Sequence, residues 1–469
     1  MTLDPHLTLA LDGETWTTPA LARDRIVSAD RTGRVRAWDA SGAVVWERAA
    51  GAEITASPTL ADLDGALAVL IGDHGGGFEA LALEDGRRLW RRAFGSTIRA
   101  TAAVAEIEGR AAVVLPVYGP RLVRLTTGGE AVYERSLPRN EVYHRGRDCG
   151  AVSSPLVADV DGDGAPEAVF GVRAQRVYCC DAATGEVKWF RRLRYDPDSS
   201  PTLCAGPDGA PQILVGGGEH TGGTGDNALV ALGPSDGRVL WTAGAGGGVD
   251  GAATVGDLGG GEEGAVFCSL ASGAVIVINM SGQERWRVPF GPTATCVHDP
   301  LCRDPARPYF TGRAVCRSYV TPLVADLDGD GAPEAVAGSN NGALLVLDAA
   351  SGAERARVQT GGMVRGSAVL EDVDGDGRCE MVVPSGDRLL VYRTAAPAAS
   401  AWPQTKGEPT HLGWREPRPL AAAPGPRPRL VRPRLAWAST GRDALRYAAF
   451  QIERRVLNPL GIRIAEHYY

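Results

Sequence analysis

The chain has 469 residues, of which 44% are hydrophobic and 22% are charged, ordinary values for a soluble globular protein. Its 61 Gly and 31 Pro against 8 Phe indicate many turns and favour short strands over long helices. From Thr394 onward twelve Lys and Arg face five Asp and Glu, so within the formal net charge of −7 the tail carries about +7 and the body about −14. An acidic body lacks the clustered cations of a nucleic-acid surface, which excludes broad binding to a phosphate backbone.

The N-terminus, MTLDPHLTLALDGETW, lacks a cationic segment followed by a long apolar run, and no uninterrupted stretch of about 18 apolar residues occurs elsewhere. We therefore expect neither a signal peptide nor a membrane span. The expected location is the cytoplasm, and an exterior reached by a route that the sequence does not show stays open. In a reducing compartment the nine Cys are expected to be free thiols or metal ligands.

Short segments of small residues recur roughly every 40 to 70 residues and predict the first strand of a repeated unit. They begin at Thr17, Ala56, Ala100, Ser153, Ser199, Gly251, Val320 and Gly366. Each is followed by a turn rich in carboxylates or glycine and then by an apolar strand such as EAVFG at Glu167. Most units close with a Gly turn and an aromatic four residues later, and we predict that the tryptophans among these pack between units. They are Trp46, Trp90, Trp189, Trp241 and Trp286.

Four short strands per unit, closed by a Gly turn and an aromatic, are typical of a propeller blade. The sequence thus predicts an all-β fold with a single eight-bladed β-propeller over residues 6–395, and seven blades are the alternative. The last unit lacks a closing strand, so the run from His6 to Leu11 is expected to complete it and remove an open edge. We predict that residues 396–438, which are rich in Pro and Arg, form an extended closing segment. Residues 439–469 are predicted to form a tail with a short helix.

Two repeat families resemble these units. The endings DAATGEVKW at Asp181 and DGRVLW at Asp236 resemble the PQQ-like repeats of quinone-dependent alcohol dehydrogenases and outer-membrane assembly-factor propellers. The turns DVDGDGAPE, DLDGDGAPE and DVDGDGRCE resemble the FG-GAP or VCBS-type repeats of integrin alpha-subunit propellers and their bacterial relatives. The resemblance covers about residues 6 to 395 and implies a propeller fold and calcium, but little about activity, because propellers host many unrelated functions.

The three acidic turns carry the hard oxygen ligands that calcium prefers. In the first turn the carboxylates of Asp159, Asp161 and Asp163 can converge, Ala165 can offer its carbonyl, and Glu167 closes the shell. The same roles fall to Asp326, Asp328, Asp330, Ala332 and Glu334, and to Asp372, Asp374, Asp376, Arg378 and Glu380. The strand-like flanks exclude an EF-hand. We expect about three structural calcium ions, and the alternative of a regulatory switch would need a bistable element coupled to them.

The residue two positions before each small-residue pair is predicted to lie at one mouth of the central channel. These rim positions are Trp16, Thr55, Arg99, Val152, Asp198, Asp250, Tyr319 and Arg365. The two long connections, residues 139–149 and 288–319, are predicted on the same face, where binding residues of rigid scaffolds usually lie. The candidates for catalysis are Arg99, Asp198, Asp250, Tyr319, Arg365, His144 and His298, although these charges can equally serve only to solubilise the mouth.

Further cysteines and histidines leave other chemistry open. In the long connections Cys296, His298, Cys302 and Cys316, together with His144 and Cys149, can ligate zinc or copper, form a disulfide, or stay unconnected. The adjacent Cys179 and Cys180 invite comparison with the cysteine pair of quinone-dependent alcohol dehydrogenases. They stand within a predicted strand, however, where neighbours point to opposite faces, so packing is the expectation.

The leading functional hypothesis is a binding platform for an unknown protein or small-molecule ligand at the mouth. The main alternative is an enzyme that uses the same mouth for non-redox group transfer or cyclisation, and a third is a quinone- or metal-dependent oxidoreductase. The sequence contains no P-loop, and its matches to G-x-S-x-G (GPSDG at Gly233) and G-x-G-x-x-G (GGGEEG at Gly259) stand in predicted turns between strands, so they indicate neither a nucleophile elbow nor a dinucleotide fingerprint. Standard catalytic motifs therefore do not decide among these hypotheses.

Overall fold

The computed structural model describes residues 3–22, 24–138, 150–173, 175–218, 228–269, 273–291 and 317–400. They form eight four-stranded antiparallel sheets, and the first strands of neighbouring sheets contact each other around a common axis. This architecture confirms the eight-bladed propeller, so the alternative of seven blades is wrong. No helix in the described part of the chain is long and apolar enough to cross a membrane. The predicted helical tail and most of the closing segment, residues 401–469, lie outside the described residues.

Blades 1 to 4 follow one another along the chain. Blade 1 contains β2 (Ala20–Ala22), β3 (Arg25–Ala29), β4 (Arg34–Trp38) and β5 (Val44–Ala49); blade 2 contains β6 (Thr59–Leu63), β7 (Ala66–Gly72), β8 (Gly77–Ala82) and β9 (Arg88–Ala93). Blade 3 contains β10 (Ala103–Ile107), β11 (Arg110–Val117), β12 (Arg121–Thr126) and β13 (Ala131–Ser136); blade 4 contains β14 (Leu156–Ala158), β15 (Glu167–Val172), β16 (Arg176–Asp181) and β17 (Val187–Arg192).

Blades 5 to 8 continue the ring. Blade 5 contains β18 (Thr202–Ala205), β19 (Pro211–Gly217), β20 (Ala228–Leu232) and β21 (Val239–Gly244); blade 6 contains β22 (Thr254–Asp257), β23 (Glu263–Ser269), β24 (Ala274–Asn279) and β25 (Glu284–Pro289). Blade 7 contains β26 (Leu323–Ala325), β27 (Glu334–Gly338), β28 (Ala343–Asp348) and β29 (Glu354–Gln359). Blade 8 contains β30 (Val369–Glu371), β31 (Arg378–Ser385), β32 (Arg388–Pro397) and the N-terminal β1 (Leu7–Ala10), and a 3-10 turn (Ala398–Ser400) follows.

The N-terminal strand closes the ring. β1 pairs antiparallel with β32, with Leu7 opposite Val391 and Leu9 opposite Leu389, and becomes the outermost strand of blade 8. This confirms the predicted closure. Blade 8, whose other three strands come from the C-terminal end of the propeller, thus gains its fourth strand from the N-terminus of the chain.

A belt of hydrogen bonds joins the blades near the axis. In seven cases the backbone N–H of one small residue donates to the side-chain hydroxyl of its counterpart in the next blade, at 2.8 to 3.1 Å. The hydroxyls belong to Ser57, Thr101, Ser154, Ser200, Thr321, Ser367 and Thr18. The repeated small-residue pairs therefore have a bonding role as well as a steric one. Ala252 of blade 6 occupies the eighth position and has no hydroxyl, so the belt has one gap.

The aromatic side chains on the outer strands pack between blades, as predicted. Trp46 of β5 is 7% exposed, and its indole nitrogen donates to the carbonyl of Leu83 in blade 2 at 2.8 Å. A Cβ at Gly86, which has a φ of 69°, would lie 2.6 Å from the Trp46 ring. That glycine is required both for its turn conformation and for the close approach of the neighbouring blade. The same aromatic-on-glycine contact recurs at Trp90, Tyr133, Trp189, Trp241 and Trp286.

The belt predicts that Ala252→Ser stabilises the protein. A hydroxyl at this position would accept the N–H of Ser200, as the seven existing belt hydroxyls do for their neighbours, and one such bond contributes about 0.5–1.5 kcal/mol. Conversely, Thr101→Ala removes the acceptor of the Ser57 N–H and is expected to cost about 1–3 kcal/mol, since the donor is left unpaired. Thermal midpoints of both variants would check the belt.

Ala253→Ser provides the matched control. Its side chain is also buried but stands one residue off the belt, so we expect it to lower the midpoint. If both serine variants change the midpoint equally, the belt does not explain the difference between the two positions.

Candidate functional site

The two predicted sites lie on opposite faces of the ring. Antiparallel strands within a blade reverse direction at each hairpin, so successive connections alternate between the two faces. The links that enter each first strand share one face, here called the mouth face, with the hairpins between second and third strands. The acidic turns between first and second strands share the other face, here called the turn face. A ligand at the mouth therefore does not contact the acidic turns.

Three aromatic and cationic rim residues come together on the mouth face. The guanidinium carbon of Arg365 lies 3.9 Å from the ring centroid of Trp16 and 4.4 Å from that of Tyr319. Arg31, in a hairpin of blade 1, lies 4.1 Å from the same Trp16 ring. No described residue accepts a hydrogen bond from the buried Nε of Arg365 or from the indole nitrogen of Trp16. Where blades 7, 8 and 1 meet at the mouth, arginines thus stack on aromatic rings, and two buried N–H groups have no acceptor among the described residues.

A polar network continues this arc into blade 2. The Nε of Arg31 donates to Glu53 at 2.5 Å, and the other carboxylate oxygen of Glu53 lies 3.4 Å from Nδ1 of His74. Nε2 of His74 lies 2.7 Å from the hydroxyl of the rim residue Thr55. Burial lowers the pKa of His74, and the charge of the neighbouring Arg99 lowers it further. His74 is therefore neutral at pH 7, so one ring nitrogen carries the proton and donates while the other accepts.

Arg99 extends the cationic side of the rim to blade 3. Its guanidinium carbon lies 5.6 Å from the ring centroid of Tyr118, and its Nε is buried without an acceptor among the described residues. Arg99 and Arg365 therefore share a pattern, an aromatic ring on the guanidinium and an unused Nε–H. Both were predicted as rim residues, and each has the donor geometry that carboxylates and phosphates match.

The acidic rim residues are engaged by neighbours. Arg173 donates from Nε and from a terminal nitrogen to the two carboxylate oxygens of Asp198, each at 3.1 Å, and Asp198 is 9% exposed. Burial raises the pKa of Tyr319, while Arg365 opposes and the nearby Asp250 adds to this rise. Tyr319 therefore stays protonated at neutral pH. Its hydroxyl accepts a hydrogen bond from Arg317, and Asp198 serves first as an ion-pair partner.

Of the remaining mouth candidates, Val152 is described and those in the two long connections are not. Val152 lies beside Ala151, which bridges to Val172. His144 and the 139–149 connection lie outside the described residues, as do residues 292–316 with His298 and the cysteines of the longer connection. The zinc, copper and disulfide alternatives for these residues stay predictions.

The three predicted calcium turns adopt one geometry on the turn face. In each, oxygens from two aspartates and one glutamate lie within 4.8 Å of one another, and the sets are Asp159, Asp161 and Glu167, then Asp326, Asp328 and Glu334, then Asp372, Asp374 and Glu380. In blade 7, Asp326 accepts the backbone N–H groups of Gly329 and Gly331 at 2.7 and 2.9 Å. Glu334 accepts the N–H of Leu327 at 2.8 Å. These bonds hold the carboxylates in place before any ion binds.

Buried, unpartnered oxygens test whether a cation fits. Glu334 is fully buried, and its Oε1 has no hydrogen-bond partner among the described residues. Burial raises its pKa to about 7, and the neighbouring aspartates add to the rise. In blade 8 the Oδ1 of Asp372 is likewise buried and unpartnered. Orphaned carboxylate oxygens that face other carboxylates fit a hard divalent cation such as calcium.

The turn of blade 4 differs because it already contains a cation. The ammonium nitrogen of Lys188 lies 2.6 Å from Asp161, 2.9 Å from Asp163 and 2.7 Å from Glu167. Sequence reasoning did not identify Lys188, which lies two strands away from the turn. Its position within ATGEVKW, a segment that was assigned only to strand formation, gave no direct signal of this contact.

The adjacent cysteines pack on opposite sides of their strand, as the alternation predicts. Cys179 and Cys180 are both buried free thiols in β16, and they belong to different hydrophobic clusters. Burial raises the pKa of Cys180 to about 12 and that of Cys179 as well. Both thiols therefore remain protonated at neutral pH and contribute to the packing between blades.

The comparisons with known proteins agree with this fold. A family model described as outer membrane protein assembly factor BamB matches residues 6–207, which is less than half of the chain. BamB from Moraxella catarrhalis has a TM-score of 0.57 at 18% identity, over 84% of this chain and 98% of that chain. A europium-containing methanol dehydrogenase has a TM-score of 0.57 at 11% identity, over 82% of this chain and 85% of that chain. The computationally designed Ika8 protein has a TM-score of 0.53 at 15% identity, over 82% of this chain and 98% of that chain.

The search of curated proteins finds no match. At these identities the structural neighbours show the fold alone. They support a β-propeller fold, and the family match indicates similarity to PQQ-like repeats over residues 6–207. The resemblance of the acidic turns to FG-GAP repeats stays a prediction.

Several mouth residues escaped the sequence reasoning because only the links into the first strands were considered. Arg31, His74, Tyr118 and Arg173 come instead from hairpins between the second and third strands. The sequence does indicate these positions. In each blade the hairpin follows the second apolar strand, and it must therefore lie on the same face as the rim. Adding these positions would have found the partners of Trp16, Thr55, Arg99 and Asp198.

The depressed pKa of His74 predicts a stability that falls in mild acid. The unfolded state gains a proton near the ordinary pKa of about 6.5, whereas folded His74 resists protonation, so stability is lost as the pH falls from 6.5 through the folded pKa. Glu53, Asp73, Arg31 and Arg99 set the local field. We expect His74→Gln to narrow the difference between the thermal midpoints at pH 7 and pH 5.5. Titration of the His74 ring by NMR at or above 6.5 would contradict this account.

Proposed function

We propose that the protein is a binding platform whose mouth face takes a protein segment or small molecule that carries an anionic group. The observation that carries the proposal is the pair of arginines, Arg99 and Arg365, whose buried Nε donors have no described acceptor. An aromatic ring covers part of each guanidinium group, which restricts its motion and directs its donors toward a ligand. Carboxylate and phosphate oxygens match this fork of N–H groups.

The chemistry of the rim supports binding rather than group transfer. A general base must be deprotonated and within reach of its proton. Asp198 is held in a two-bond ion pair with Arg173, Tyr319 stays protonated, and His74 is already engaged by Thr55 and Glu53. These groups bind and orient more readily than they accept a proton. Similarity to a family described as an outer membrane protein assembly factor also supports a protein partner.

The mouth predicts a preference for acidic peptides that depends on Arg365. A charge-assisted hydrogen bond contributes about 1.5–3 kcal/mol, so Arg365→Ala is expected to weaken binding by roughly 10- to 100-fold. The measurement is fluorescence anisotropy with acidic peptides selected from a displayed random library. Arg365→Lys keeps the charge but loses the planar fork, and we expect an intermediate affinity.

Arg87→Ala is the matched control for this experiment. Its side chain is 69% exposed and stands in the hairpin between β8 and β9, on the turn face. The variant should bind as the original protein does. Equal losses in the Arg87 and Arg365 variants would indicate a diffuse charge effect, and selection of uncharged or basic peptides would contradict an anionic ligand.

We further propose that calcium ions bind the acidic turns of blades 7 and 8 and stabilise the ring. The buried unpartnered oxygens of Glu334 and Asp372 support these two sites. Asp326 and Asp328 complete the set of Glu334 in blade 7. Asp374 and Glu380 complete the set of Asp372 in blade 8. When bound, calcium would supply charge compensation for buried carboxylates that otherwise repel one another. Its role is structural because the turns lie on the face opposite the mouth.

Removal of calcium is expected to destabilise the fold without altering the mouth. A ligand present at 1,000 times its Kd stabilises the folded state by about 4 kcal/mol, so EGTA should lower the thermal midpoint. Asp328→Asn is expected to lower the midpoint in calcium and to leave peptide affinity unchanged at saturating calcium. Asp208→Asn, in the short turn of blade 5, is the control and should not change the response to EGTA. An EGTA-insensitive midpoint would contradict the proposal.

A further inference from the structure

We propose that the ammonium group of Lys188 permanently occupies the cation position of the blade 4 turn, so that this turn needs no metal. The inference rests on the proposed calcium sites of blades 7 and 8, whose turns have the same sequence pattern and geometry. Blade 4 thereby carries a built-in counter-ion where its two equivalents take a soluble one.

The contacts of Lys188 match the needs of the turn. An ammonium group has three donors, and here three carboxylates lie at 2.6, 2.9 and 2.7 Å from its nitrogen. Glu167 is fully buried, and the lysine bonds to its Oε1, the oxygen that corresponds to the unpartnered Oε1 of Glu334 in blade 7. The glutamate oxygen that is orphaned in blade 7 is therefore satisfied in blade 4 by a side chain, while Lys188 contacts Asp161 through Oδ2 and leaves its buried Oδ1 without a partner among the described residues.

Blades 4 and 7 share the same bulge register and differ in the side chain that stands at the bulge. Cys179 pairs with Trp189 and Cys180 with Val187, so Lys188 is the extra residue of a β-bulge between β16 and β17. Arg355 is the extra residue of the corresponding bulge between β28 and β29 in blade 7. Its guanidinium group donates to Asp348 at 2.7 Å instead of reaching the acidic turn.

Lysine and calcium exclude each other at this position. Calcium binds oxygens at about 2.3–2.6 Å and takes six to eight of them, so an ion shared by Asp161, Asp163 and Glu167 would overlap the ammonium nitrogen. The two cations would also repel. Binding of calcium would require Lys188 to leave three carboxylates, one of them fully buried.

Other blades show the same replacement of an ion by a side chain. In blade 3, Arg124 is 6% exposed and donates to Glu108 of the corresponding turn at 2.9 Å. In blade 6, Arg285 pairs with Glu262 of its turn. Blade 4 differs from these because its turn keeps the full set of acidic ligands. Its sequence therefore predicts a calcium site that the lysine fills.

The consequence is that calcium dependence concentrates at the seam where the ring closes. The N–H of Ala395 in β32 donates to Leu327 in the blade 7 turn at 2.8 Å, and the N–H of Asp24 in blade 1 donates to Val373 in the blade 8 turn at 2.8 Å. Both proposed calcium turns thus contact a neighbouring blade at the seam. Blade 4 lies on the other side of the ring, where stability does not depend on free calcium.

The test counts calcium ions per chain by equilibrium dialysis and atomic mass spectrometry. We expect about two in the original protein, still two in Asp161→Asn, and one in Asp328→Asn and in Asp374→Asn. Lys188→Met should raise the count to three, because the carboxylates of blade 4 lose their internal cation. Arg355→Met, the equivalent change in blade 7, is the matched control and should leave the count at two. A count of three that falls to two in Asp161→Asn would overturn the proposal, as would a Lys188→Met protein that gains no ion.

A second measurement separates failure of the lysine proposal from failure of the calcium proposal. In EGTA, a double-mutant cycle on Lys188→Met and Asp161→Asn measures their coupling without any metal. We expect each single change to lower the thermal midpoint and the double change to lower it by less than their sum. Absence of coupling overturns the role of Lys188. Coupling in a protein that binds no calcium would support Lys188 and refute the calcium sites of blades 7 and 8.

Discussion

The spacing of the eight inner strands depends on one repeated interaction, in which a backbone N–H binds a hydroxyl of the next blade. Because each hydroxyl belongs to the residue two positions after a rim residue, the belt also fixes where the rim side chains start. Trp16, Tyr319 and Arg365 come from three blades and still reach a common stack. A mouth built from separate blades can hold such contacts only if the inner strands have little freedom to slide.

The sequence predicted the fold well because its signals are local and repeated. The Gly turns and tryptophans each need only one neighbouring blade, and the strand at Leu7 was implied by the unit that lacked a final strand. The candidate site was predicted less completely. Asp198 was predicted at the rim, and its ion-pair partner Arg173, which was not predicted, lies on a different strand connection. Lys188 was missed for the same reason, since pairing across a bulge depends on register, which a pattern of residue types does not encode.

The two faces divide the physical tasks of the molecule. On the turn face, buried carboxylates are held by backbone N–H groups and need positive charge, which comes from lysine in blade 4. On the mouth face, the half-buried residues Arg99 and Arg365 lie against aromatic rings, and their Nε donors have no acceptor among the described residues. In blade 4 the positive charge comes from within the protein, and for blades 7 and 8 we propose that it comes from calcium. The negative charge for the mouth arginines would come from a ligand. For this reason recognition is proposed at the mouth and not at the acidic turns.

The pairing of β1 with β32 has a consequence for how the chain folds. Leu7 meets Val391, so the last blade gains its outer strand only after nearly the whole propeller has been synthesised. Until then β1 presents unpaired backbone groups, and blade 8 exposes the edge of β32, both of which can pair with another chain. The entropy of closing so long a loop grows only slowly with its length, by about 0.6 kcal/mol per doubling, so the delay is a matter of time rather than of stability. Between the synthesis of β1 and its pairing with β32, an exchange of strands between two nascent copies can thus compete with closure of the ring.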